Sequence, residues 1–65
     1  MKIRQIVLDE MKKNRRLINL LAINFDVHSG TVERWIKTND IMLTTMSATN
    51  IIAEEMKLQL SEIVE

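Results

Sequence analysis

Residues 25–37 read FDVHSGTVERWIK, and the way this stretch folds decides the rest of the chain. A turn-forming DVHSG runs straight into TVERWIK, where Val32, Trp35 and Ile36 recur at helical spacing and form the inward stripe of a helix. Upstream, Asn14 is a candidate N-cap for a helix that carries Leu17, Leu20, Leu21 and Phe25 on its buried side. Two helices joined at a steep angle by three or four residues need a small side chain where they cross. They also need an apolar plug after the turn and two inward apolar positions, three apart, beyond it. Ala22, Val27, and Val32 with Trp35 meet these needs, and the spacing Leu21-Ala22-x2-Phe25-x-Val27-x4-Val32-x2-Trp35 is that of a helix-turn-helix.

Outward from this motif the pattern stays helical. Ile3, Ile6, Val7 and Met11 follow the i, i+3, i+4, i+8 rule and predict a first helix over about residues 2–13. Thr38, Asn39 and Asp40 mark a turn. Met46, Thr49, Ile52, Ala53 and Met56 predict a fourth helix from about residue 44, and Leu60, Ile63 and Val64 a short last one beginning near Ser61. With no proline, one glycine and no alternating run, the expectation is an all-α bundle of about five short helices. It would form one domain over 1–65, with the motif at about 15–37 and the C-terminal helices at about 44–65.

The 65-residue chain is 46% hydrophobic, enough for one small core, but only 3% aromatic. Aliphatic side chains and five methionines must fill that core, and a small, soft core of this kind favours dimerisation. The absence of cysteine excludes disulfides and thiolate chemistry. In MKIRQIVLDEMKK the apolar run is broken by Asp9 and Glu10, too early for a signal peptide or a membrane span. The expectation is a cytoplasmic protein of microbial or viral origin, with no membrane partner.

Nine basic and nine acidic residues give zero net charge, which argues against indiscriminate nucleic-acid binding. Their distribution says more. Residues 1–39 hold Lys2, Arg4, Lys12, Lys13, Arg15, Arg16, Arg34 and Lys37 against Asp9, Glu10, Asp26 and Glu33. Residues 40–65 hold Lys57 against Asp40, Glu54, Glu55, Glu62 and Glu65. One half is basic and the other acidic. No catalytic constellation emerges, since Asp9 with Glu10 and Glu54 with Glu55 are adjacent on helices and diverge. His28 is the only histidine and has no partner for a metal site or a nucleophile system. The sequence therefore implies no enzyme, metal, cofactor or small-molecule substrate.

The motif resembles the helix-turn-helix of the phage repressor and Cro family, the lambda-repressor-like domains. IAEEMKLQLSEIV (52–64) is similar to the end of those domains, so the likeness covers roughly residues 14–64. The family usually has glycine where Asp26 stands, often a phosphate-fixing Gln where Ile18 stands, and commonly a Glu where Ile36 stands. TVERWIK would also suit excisionases, transposases or terminase small subunits.

The resemblance implies a homodimeric transcriptional regulator that sets its recognition helix, about residues 29–37, in the major groove of double-stranded DNA. If His28 is the N-cap, the outward residues of this helix are Ser29, Gly30, Glu33, Arg34 and Lys37. Ser29, Gly30, Glu33 and Arg34 would then meet base edges. Arg34 can donate two hydrogen bonds to guanine, Glu33 can accept from cytosine N4, and Gly30 allows close backbone approach. Phosphates would be held by Asn14, Arg15 and Arg16 at the start of the second helix, by His28, and by Lys37, Thr38 and Asn39 past the third. Leu58, Leu60, Ile63 and Val64 would form the dimer surface. The alternative is a helix-turn-helix module that docks to a protein partner, or an excisionase- or terminase-type accessory domain, without an operator of its own.

Overall fold

The computed structural model describes residues 2–65. Five α-helices follow one another: α1 (Gln5–Lys12), α2 (Arg15–Phe25), α3 (Ser29–Thr38), α4 (Met46–Met56) and α5 (Leu60–Ile63). A single 3-10 turn, Ile41–Thr44, links α3 to α4. The architecture is a small all-α bundle, as the helical spacing of its apolar residues requires.

Each boundary has a local cause. The carboxamide of Asn14 accepts the Leu17 N–H at 3.1 Å and so starts α2. Gln59 and Glu62 form a capping box at α5, where Glu62 Oε1 accepts the Gln59 N–H at 3.0 Å. The ends of α2, α3 and α4 are all left-handed, at Asp26 (φ 55°), Asn39 (φ 53°) and Lys57 (φ 56°). In each case the next residue's N–H returns to the helix: Val27 to Ala22 O, Asp40 to Trp35 O, Leu58 to Ala53 O. These are Schellman closures, and Val27 and Leu58 fold back onto the core as the motif's apolar follower should.

The core is built from Val7, Leu8 and Met11 of α1, Leu17, Ile18, Leu21 and Ala22 of α2, and Val32 and Ile36 of α3. Leu43, Ala48, Ile52 and Ile63 close it from the C-terminal half. Thr49 can join them because its hydroxyl bonds back to the carbonyls of Thr45 and Met46.

Three residues expected inside are not. Ile6 is 71% exposed, because Ile3 lies before α1 in extended backbone and the helical stripe is re-centred on Val7, Leu8 and Met11. Leu20 lies at the rim of α2 in the row Arg16–Leu20–Asn24, away from the face centred on Leu17, Leu21 and Phe25. Met46 is 79% exposed, since α4 begins with it and its buried stripe runs through Ala48, Thr49 and Ile52. Trp35 is half-buried, edge-on to Phe25 with ring centroids 5.3 Å apart.

The termini meet. Ile3 and Val64 form an antiparallel bridge, with Arg4 N–H to Ile63 O at 2.8 Å and Glu65 N–H to Lys2 O at 2.9 Å. No helix among the described residues is long and apolar enough to cross a membrane.

Candidate nucleic-acid interface

Asp26, Val27 and His28 alone separate α2 from α3. Ala22 is 8% exposed and gives its carbonyl to Val27, so the turn closes against a side chain that takes up little room. Asp26 can hold the left-handed geometry at modest strain because its short polar side chain tolerates it better than a branched one would. With Val32 and Ile36 committed to the core, α3 turns Gly30, Glu33, Arg34 and Lys37 to solvent, with Ser29 half-covered at its start. His28 stands at the N-cap but makes no side-chain cap bond, and its ring is exposed. A Cβ added at Gly30 would meet nothing within 4 Å, so this stretch of helix is open to a close-approaching partner.

The cations around α3 are arranged less simply than the sequence suggested. Arg15 Nη1 lies 2.7 Å from Glu33 Oε1, joining the start of α2 to the outward face of α3. Arg16 Nε lies 3.0 Å from Glu55 Oε1 on α4. The basic and acidic halves of the chain thus meet along a seam, because α2 and α4 pack antiparallel: Arg16 faces Glu55 and Asn24 bonds Ser47. Arg34 has no acid within ion-pair distance among the described residues.

Beside Glu33 is a recess of about 360 Å³, floored by Ile18 and Ile36 and lined by Lys12, Glu33 and Lys37. Ile18 and Ile36 are both core positions. Lys12 was not among the expected contacts. Its signal was the run KKNRR (12–16), four cations in five residues at the junction of α1 and α2.

Several expected contacts are otherwise engaged. The carboxamide of Asn39 takes both backbone groups of Ile3, accepting its N–H at 3.3 Å and donating to its carbonyl at 3.1 Å, and so is not available to a phosphate. Thr38 gives its hydroxyl proton to Arg34 O at 3.0 Å. The oxygen of Asn14 caps α2, which leaves only its amino group to donate. At the expected dimer surface, Ile63 is fully buried within the monomer, Val64 is held in the terminal bridge, and Leu58 packs against the core. Leu60 alone of that set is well exposed. It lines a groove of about 350 Å³ with Thr44, Met46, Thr49 and Asn50.

No protein-family model matches the chain, and no characterised protein or solved structure is detectably similar to it.

Proposed function

We propose that this chain is a sequence-specific DNA-binding regulator of the phage repressor and Cro type, a homodimer that reads an operator with α3 in the major groove. The observation that carries this reading is the exposed face of α3. From Ser29 to Lys37 it is polar throughout, with an arginine unpaired among the described residues, an exposed lysine and an open glycine, whereas the strongly exposed large hydrophobics lie on other segments. Arg34 is the base reader, since a bidentate guanidinium on guanine discriminates by roughly 1–3 kcal/mol. Lys37, Lys12 and the start of α2 hold the backbone. The dimer surface is the groove beside Leu60 and Met46, and a two-fold pair would present its α3 helices about 34 Å apart to a palindrome.

Selection of bound DNA from a random oligonucleotide pool at near-physiological salt tests the proposal. A palindrome is expected to be enriched, and Arg34→Ala to relax preference at one position of each half-site by roughly 1–3 kcal/mol. Failure to enrich any sequence removes the operator reading. The second reading, a protein-docking module, is favoured by the engagement of Arg15 and Arg16 with acids and by the apolar groove at Leu60. It requires binding to map to that groove with α3 dispensable.

A further inference from the structure

One acid on α3 is held by a cation from α2, beside a recess that two lysines line. Arg15 of α2 holds the Glu33 carboxylate at 2.7 Å, and Lys12 of α1 and Lys37 of α3 line the recess that Glu33 also lines. Both members of the bridge are accessible, with side chains 63% and 47% exposed, so the pair is open to exchange. Resting on the DNA-binding reading above, we infer that Glu33 sets selectivity by negative discrimination, withholding Arg15 from any duplex that offers its carboxylate no donor.

The exchange is electrostatic. A phosphate that approaches α2 competes for Arg15 and, in taking it, leaves Glu33 charged beside a second anion. Where a base amino group, such as cytosine N4, reaches Glu33, its hydrogen bond replaces the lost arginine and Arg15 turns to the backbone. Where no donor is present, the bare carboxylate repels the strand. The wrong sequence is rejected by an unpaired charge, and the right one only exchanges the arginine's ion pair for a base hydrogen bond.

Glu33→Gln keeps size and hydrogen-bonding capacity and removes the charge. Glu54→Gln, on the exposed face of α4 outside the interface, changes net charge by the same amount and serves as the control. Binding of the two full-length variants and wild type to the selected site and to random duplex is measured across a salt series. For Glu33→Gln, affinity for random duplex should rise roughly three- to tenfold at low salt, with the log–log salt slope steeper by about one. The ratio of specific to random affinity should fall by a similar factor, while Glu54→Gln behaves as wild type. Arg15→Gln should weaken binding to both duplexes, and adding Glu33→Gln to it should restore most of the loss. Equal effects of the two acid variants, or an unchanged specificity ratio in Glu33→Gln, overturn the inference while leaving operator binding intact. Absence of any duplex binding by wild type would overturn both.

Discussion

In a chain with one glycine, the described residues make three left-handed turns, at Asp26, Asn39 and Lys57. A side chain at positive φ crowds the following carbonyl, at a cost of about 1 kcal/mol relative to glycine. Asp26 and Asn39 stand in DVHSG and TND, so their turns were legible in residue type alone. Lys57 was not, because lysine is not a turn former; only the return of the Leu58 N–H to Ala53 O reveals the closure. Asp26→Gly is expected to stabilise the protein by about 0.5–1 kcal/mol, partly offset by the freer unfolded chain. Urea denaturation reads this as a raised midpoint at constant slope. A lowered midpoint would mean that the aspartate side chain contributes to the turn in some way beyond tolerating it.

Among the elements, the pair α2 and α3 was readable because its demands are local: a cap at Asn14, a small residue at Ala22, apolar positions at Leu21, Val32 and Ile36. Reading failed where the helix start was misplaced, since one residue at the start of a helix rotates the apparent stripe by about 100°. That accounts for Ile6, and the 3-10 turn at Ile41–Thr44 escaped because four residues at a period of three leave too short a pattern. The Arg15–Glu33 bridge was beyond reach for another reason. It joins residues eighteen apart through the angle between two helices, which no spacing encodes. Trp35 was expected as a plug, and it is a half-buried one held against Phe25. Trp35→Ala should therefore cost about 2–3 kcal/mol, at the low end or below the range for large buried aromatics. A double-mutant cycle with Phe25→Ala should return a coupling of about 0.5–1.5 kcal/mol from the edge-to-face contact. Zero coupling would show that the two rings merely share a pocket.

At the scale of the whole molecule, α3 is fixed at its far end by the paired segments around Ile3 and Val64. The Ile3–Val64 bridge is of the type in which Arg4 and Glu65 donate across the pair, so the N–H and C=O of Ile3 point the other way. Asn39, the residue that closes α3, takes both with one carboxamide and so acts as a third strand one residue long. The contact spans 36 residues, and nothing in TND announces it. Asn39 thus has two opposed energetic roles, a strained backbone and a pair of hydrogen bonds, and two substitutions separate them. Asn39→Ala loses the bonds and worsens the strain, for an expected loss of about 2–3 kcal/mol; Asn39→Gly loses the bonds but relieves the strain, for about 1–2 kcal/mol. The order wild type, Gly, Ala is the opposite of that expected for wild type and Gly at Asp26, where the side chain bonds nothing. Amide hydrogen exchange at Ile3, Arg4 and Glu65 should quicken in Asn39→Gly well before exchange in α2 does, because only the terminal clasp has been opened. If Asn39→Gly proves as stable as wild type with those amides still protected, the apolar seat of Ile3 holds the termini without the clasp, and the anchoring of α3 through its end is lost as an explanation.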